Sequence, residues 1–248
     1  MGDKTILEVN NICKSYDRFK LKNISFKVNN GDVVGLIGAN GSGKSTTIKI
    51  ILKIVEKDSG DIKFLGDSVL KDDNILYKEN IGYVGENSDF FPNQRLKDVK
   101  NFYREYYCNW DEKTYNYLFN DVFELSENYK VKELSKGMKV KFYLTLALSH
   151  NPKLLIMDEP TSGLDPIVRS RILKILKEYA VKKNASIIFS SHITEDMNKI
   201  ATKLVFLNNG EVLEECNIEE LLNRNYAIDE YLETLIADKE LKYEKDIF

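Results

Sequence analysis

A nine-residue run, GANGSGKST at 38–46, limits this chain more than any other stretch. It follows GDVVGLIG (31–38), a continuous apolar segment, and precedes KSTTIKIILKIV, whose apolar residues recur at helical spacing. A strand that is apolar on both faces belongs inside a parallel sheet. Gly38, Gly43, Lys44 and Ser45 fit G-x-x-x-x-G-K-[ST] between a predicted strand and a predicted helix, the context that gives this motif its meaning. The glycines let backbone N–H groups curl around a phosphate, and the helix turns its positive end toward the same anion. Lys44 is placed to reach β- and γ-phosphates, and the Ser45 hydroxyl to ligate Mg²⁺. With Asn40, Gly41, Ser42 and Thr46, the run is the expected cradle for a phosphate chain.

The rest of the pattern repeats strand and helix. TILEV and ISFKV alternate like strands of a half-exposed sheet; GDIKFLG and NIGYVGE read as short strands, KLLIMDEP and SIIFSSH as buried ones. PIVRSRILKILKEYA opens a helix with proline, and KLVFLNNGEVLEE is a hairpin around Asn-Gly. Residues 87–150 differ, with helical spacing in LKDVKNFYREYY, DEKTYNYLFNDVF and KGMKVKFYLTLALSH. The expected fold is α/β: a P-loop NTPase core with a mainly parallel sheet covered on both faces, an N-terminal antiparallel β portion and an inserted helical lobe. Residues 1–86 and 151–225 would form the core, 87–150 the lobe, and 226–248 a polar helical tail.

Asp158 and Glu159 end the apolar strand KLLIMDEP. Carboxylates beside such a run are expensive unless they serve a cation or a proton. Asp158 is placed to hold Mg²⁺, largely through water. Glu159, expected on the opposite side of the strand, is placed to polarise an attacking water. His192 follows the strand SIIFSS, at the carboxyl end where open α/β sheets bind ligands.

Composition narrows the class. The 248 residues are 43% hydrophobic and 30% charged, with a net charge of −3, so no nucleic-acid partner is expected. Cys13, Cys108 and Cys216 are odd in number and far apart, which suits a reducing compartment and neither a disulfide frame nor a zinc site. No signal peptide is indicated, and no stretch approaches the ~18 apolar residues of a membrane span.

ELSKGMKVKF (133–142) looks like a second phosphate turn, with a serine, a glycine and then a helix. Taken with GANGSGKST, LLIMDEP, SGLD and SSH, it resembles the ATP-binding subunits of ABC transporters over residues 5–225. That resemblance explains a second grip. Two chains pack head to tail, and Ser135 and Gly137 of one would contact the ATP held by the other. It also implies that Asp165, in SGLD, shapes the facing site, that His192 contacts the γ-phosphate, and that Glu159 and Lys44 act in hydrolysis. Tyr16, in CKSYDRF, resembles the aromatic that stacks on adenine, with Phe19 as its rival; a core tyrosine is the other reading. Ser135 also reads as a plain helix N-cap.

Two departures stand out. The glutamine usual after GYV is Glu86, an oxygen donor to Mg²⁺ or water in one reading and a solvated acid in the other. The usual LSGGQ is LSKGM, where Lys136 either meets ATP or lies in solvent. Both features resemble ATPases of bacterial peptide-antibiotic and multidrug exporters. The resemblance implies ATP and Mg²⁺ as cofactors, a second ATPase subunit, a separate membrane permease, and a cytoplasmic subunit held on the inner face of the cell membrane. A soluble non-transport ABC ATPase and a regulatory or immunity subunit are the alternatives. Phe90, Phe91, Phe102, Tyr103, Tyr106, Tyr107 and Trp110 crowd one stretch of the lobe, either as an exposed groove for the permease or as the lobe's own core.

Overall fold

In the computed structural model, residues 4–69, 75–85 and 91–247 are described. In chain order the elements are β1 (Thr5–Tyr16), β2 (Phe19–Asn29), β3 (Val33–Ile37), α1 (Lys44–Ile51), β4 (Ser59–Phe64), β5 (Asp67–Ser68), α2 (Ile75–Glu79) and β6 (Ile81–Val84). The helical stretch follows, with α3 (Leu96–Tyr106), α4 (Glu112–Asn116) and α5 (Lys136–Ser149). The chain then continues through β7 (Leu154–Asp158), α6 (Pro166–Lys183), β8 (Ser186–Ser190), α7 (Thr194–Ile200), β9 (Lys203–Asn208), β10 (Glu211–Asn217), α8 (Ile218–Asn223) and α9 (Ile228–Ile247).

Two sheets form. One is antiparallel, ordered β2-β1-β4-β5, and the other is ordered β10-β9-β3-β8-β7-β6. Strands β9, β3, β8, β7 and β6 run parallel, and β10 joins antiparallel as the second arm of the predicted hairpin. Because side chains alternate along a strand, the central sheet has two apolar faces. Val34, Leu36, Ile156, Ile188 and Val205 pack with α1 and the antiparallel sheet. Val33, Leu155, Ile187, Phe189 and Phe206 pack on the other side with α5, α6 and α7. The mainly parallel core between helices, expected from the apolar strands, is the architecture found.

Three local features depart from simple periodicity. Helix α1 stops at Ile51, although apolar spacing runs on through Val55. Lys53 adopts φ 57°, and the N–H groups of Ile54 and Val55 turn back to the Lys49 carbonyl at 2.8 and 3.2 Å, closing the helix end. Helix α4 is shorter than DEKTYNYLFNDVF suggests, because the chain widens into a π-helical turn at Tyr117–Val122. The apolar packing of the helical stretch is also continuous with that of the central sheet. Phe119, Phe142 and Leu146 share one cluster with Leu155 and Met157.

The rings of 91–110 divide between surface and core. Phe91, Phe102 and Tyr106 are 43%, 52% and 52% exposed. Tyr103 and Trp110 rest against the core, and Tyr107 stacks on His150 at 3.9 Å. Phe90 lies outside the described residues.

His150 is buried, and burial pushes its pKa down to about 4 from 6.5. Its neutral form is favoured by folding, so the unfolded chain binds the proton more readily. The sign follows: stability is complete above the unfolded value and falls as pH drops from about 6.5 toward 4. Between pH 7 and 5.5 this one group removes about 1 kcal/mol. Urea unfolding at the two pH values should show that loss in the wild type, and it should shrink in His150→Gln; an unchanged difference would exclude His150 as its source.

Candidate active site

The glycine-rich loop is braced from outside before it meets any ligand. The β9–β10 turn places Asn209 and Gly210 at φ 47° and 78°, the positive values of the tight hairpin expected from Asn-Gly. Its tip donates the Gly210 N–H to the Ser42 carbonyl at 3.0 Å. A Cβ on Gly38 would come within 2.2 Å of the Leu207 carbonyl oxygen, so the loop lies directly against β9. Gly41 and Gly43 take φ 83° and 111°. Asn40 and Gly41 are exposed at the loop's crest, Ser42 is buried beneath it, and Ser45 and Thr46 are half-buried on the first turn of α1.

Lys44 is 5% exposed and folds back into the loop, donating to the carbonyls of Gly38 at 2.7 Å and Ala39 at 3.2 Å. Its Nζ is also 3.7 Å from Glu159 Oε1. The other carboxylate oxygen of Glu159 lies 2.7 Å from His192 Nδ1. The lysine, the acid and the histidine predicted from separate motifs therefore meet as one cluster.

The expected opposite orientation of Asp158 and Glu159 is corrected. Both side chains reach the same loop, Asp158 through Ser45 and Glu159 through Lys44. The cause is backbone geometry: Glu159 adopts φ 50°, which ends the alternation of β7 and swings its side chain back. Ser190, absent from the sequence-based list, holds this bend. Its Oγ donates to Asp158 Oδ1 at 2.7 Å and accepts the Glu159 N–H at 2.9 Å. The sequence signal is a polar residue closing the apolar run SIIFS, and in the fold that serine is fully buried.

Ser45 Oγ and Asp158 Oδ1 are 3.0 Å apart. Adjacent corners of an oxygen octahedron with ~2.0–2.1 Å bonds lie about 2.9 Å apart, so the pair fits a small hard cation. Among the described residues no group of three or more His, Cys, Asp or Glu side chains forms a metal site. The remaining oxygens would have to come from water and phosphate, as suits Mg²⁺. Glu86 lies outside the described residues.

The second turn is built as a helix start. Ser135 caps α5 by accepting the Met138 N–H at 3.2 Å. A Cβ on Gly137 would meet nothing closer than Leu164 Cδ2 at 3.7 Å, so packing within the chain does not require glycine there. The turn lies beside the start of α6, where Asp165 caps the helix by accepting from Ile167 and Val168. Lys136 is exposed and extends its ammonium end to Gly163. Ser135, Lys136, Asp165 and Ile167 are thus all exposed where the starts of α5 and α6 adjoin.

Tyr16 and Phe19, rivals for an adenine stack, occupy different surroundings. They pair across the end of the β1–β2 hairpin. Phe19 packs against the core and approaches Gly43, where a Cβ would lie 3.2 Å from its ring. Tyr16 is 43% exposed, with Lys14 Nζ 5.8 Å from its ring centre.

Residues 21–162 match the family described as ABC transporter. The chain is similar to the phosphonates import ATP-binding protein PhnC of Treponema denticola, 35% identical over 227 residues, covering 84% of this chain and 88% of that one. It is also similar to the bacitracin transport ATP-binding protein BcrA of Bacillus licheniformis, 30% identical over 237 residues, covering 95% and 76%. A solved ATP-binding subunit of an ABC transporter superposes with a TM-score of 0.83 at 29% identity, over 93% of this chain and 99% of that one.

The surroundings of the two rings separate their roles experimentally. Phe19→Ala should lower folding stability by about 1–3 kcal/mol, as core truncations do. Tyr16→Ala should change stability by less than about 0.5 kcal/mol. A base–aromatic stack is worth about 1–3 kcal/mol, so Tyr16→Ala should weaken ATP binding about ten-fold. Titration with a fluorescent ATP analogue checks this; wild-type affinity in Tyr16→Ala would place the stack elsewhere.

Proposed function

Because the chain belongs to the ATP-binding family of ABC transporters, whose cassettes are ATPases, we propose that it hydrolyses ATP within a closed dimer and drives a separate membrane permease. The observation that carries the reading is Glu159, a buried carboxylate held between Lys44 and His192 beside the phosphate loop. A carboxylate fixed there is suited to accept a proton from a water attacking the γ-phosphate.

Each role follows from position. The loop N–H groups of residues 38–46 cradle the phosphates, and Lys44 exchanges its carbonyl partners for β- and γ-phosphate oxygens. Ser45 and Asp158 would hold Mg²⁺, which when bound neutralises charge on the phosphate oxygens. Ser190 keeps Asp158 and the Glu159 backbone in place. His192 donates from Nδ1 to Glu159, orients it, and is exposed enough to meet the γ-phosphate. Tyr16 stacks on adenine. Glu86 contributes an oxygen to Mg²⁺ or water, a role that rests on its place in the sequence after GYV.

The second subunit, a copy of this chain or a relative, supplies Ser135 and Gly137 in trans. Gly137 is unexplained by packing within the chain and leaves room for a phosphate against the N-terminus of α5. Asp165, exposed beside that turn, belongs to the same contact face. Closure of the dimer then shifts the permease between two conformations.

A groove of about 290 Å³ supports the permease partner. Tyr103, Tyr106, Tyr107, Tyr143 and His150 line it, and Leu52 and Ile54 close it from the P-loop side of the fold. Aromatic walls of this kind suit the apolar side of a cytoplasmic helix. Among the described residues no helix is long and apolar enough to cross a membrane, so attachment at the cytoplasmic face would run through that partner. Relatives are named for import and for bacitracin transport. The export direction rests on the Ser135-Lys136-Gly137-Met138 signature and on Glu86.

Glu159→Gln keeps shape and hydrogen bonding but removes the base. ATP with Mg²⁺ should then bind without turnover, and gel filtration should show a dimer that wild type does not accumulate. Wild-type turnover in this variant would remove Glu159 from its role. Tyr106 lines the groove and Phe102 stacks beside it at 6.3 Å, and both are half exposed, so replacing both with Ala should leave the isolated ATPase intact. Co-purification with a permease encoded in the neighbouring reading frame should fall about ten-fold or more, as loss of interface aromatics does. Loss of folding instead would return these rings to the core.

A further inference from the structure

Three segments that leave the site converge on one buried carboxylate. Asp196, on the first turn of α7, has 0% exposure. Its Oδ2 accepts the Thr161 hydroxyl at 2.7 Å. Its Oδ1 accepts Arg169 Nε at 2.5 Å. Thr161 lies two residues beyond Glu159, Arg169 four beyond Asp165, and Asp196 itself four beyond His192. A carboxylate taken wholly out of water persists only where charge and hydrogen bonds replace its hydration. The network is therefore strongly held, and each of its arms ends near a different functional side chain.

We infer that Asp196 is a positioning residue for hydrolysis, tying the segments of Glu159, Asp165 and His192 into one unit through Thr161 and Arg169. The inference rests on the roles proposed above for those three residues. His192 and Glu159 touch through a single 2.7 Å contact. The Thr161–Asp196 bond is a second tie between the same two segments, and it fixes how the histidine loop approaches the acid. Arg169 extends that tie to the first turn of α6, whose cap Asp165 lies on the face that would meet the other subunit. Contact with the partner at Asp165 thereby acts on the Glu159–His192 geometry. Lys44 is anchored separately, by the loop carbonyls of Gly38 and Ala39. The network should act on turnover and leave ATP affinity alone.

Thr161 gives a test that conserves shape. In Thr161→Val, which removes only the hydroxyl, the affinity of the full-length chain for a fluorescent ATP analogue should stay within about two-fold. Its kcat should fall about ten-fold or more, because misplacing reacting groups by about 1 Å costs about a hundredfold. Thr161→Ser restores the hydroxyl and should recover kcat to within about three-fold of wild type. Asp196→Asn, which keeps one acceptor and removes the charge, should behave like Thr161→Val. Wild-type kcat in Thr161→Val and Asp196→Asn, with only a lower Tm, would overturn the inference and leave the network as a fold-stabilising bridge. Parallel loss of affinity and kcat, or no rescue by serine, would overturn it as well. Glu159→Gln measured beside them keeps the two ideas apart, since its outcome decides the base and theirs decides the tie.

Discussion

An ammonium group taken out of water sets the terms for this site. Lys44 is nearly buried, and an ion moved inward costs several kcal/mol unless oxygens replace its hydration shell. Two loop carbonyls and the Glu159 carboxylate provide them. The carbonyls fix how tightly the glycine loop curls, and the carboxylate fixes where β7 must end. The neighbouring strands follow from that meeting. β9 and its hairpin tip press the loop from outside, and β8 supplies Ser190 to hold the bend after Asp158. The charge is satisfied from within, so in the proposed reading phosphate oxygens arriving at the loop would replace an existing partner. In that reading, the exchange would free Glu159 from Lys44 to act as base.

Much of this could be read from the chain before any coordinates. Apolar runs ending at Gly38, Asp158 and Ser190 announce parallel strands because only strands covered on both faces are apolar throughout, and the three do lie adjacent in one sheet. Lys44, Ser45, Asp158, Glu159 and His192 could each be picked out as candidates, because a triphosphate would ask for a cation, a hard-oxygen pair and a base around strand ends. Their mutual contacts could not. Strand alternation sends Glu159 away from Asp158, and only its positive φ reverses that; a single backbone angle leaves no mark on hydrophobic spacing. The π-helical turn after α4 and the early end of α1 were hidden for the same reason. Periodicity reports which face is apolar, and neither a widened turn nor a left-handed Lys53 changes that face.

Polar residues inside apolar segments were the signal most easily passed over. Ser190 and Thr161 look like ordinary small residues at the ends of strands, and Asp196 like one more acid on the charged helix TEDMNKI. Burial turns each into a requirement. A serine that is wholly enclosed must find partners, and its two are the Asp158 carboxylate and the Glu159 backbone. An enclosed aspartate must find more, and it draws in a threonine and an arginine from segments that are distant in sequence.

These enclosed contacts also explain how a small change at the surface can matter at the centre. Asp165 and Ser135 are exposed and hold little of the fold, yet each caps a helix that packs on the central sheet. A second subunit pressing on that face, as proposed, would meet these helix starts, and apolar packing continuous from Phe142 to Met157 would carry displacement as a body. Buried ion pairs resist shear because separating them strands a charge. On the same proposal, motion at the dimer face would reach Glu159 and His192 by rotation of whole helices, and the groove between the helical stretch and the P-loop side of the fold would change shape with it. In the proposed reading, the permease senses ATP through that groove without touching the nucleotide.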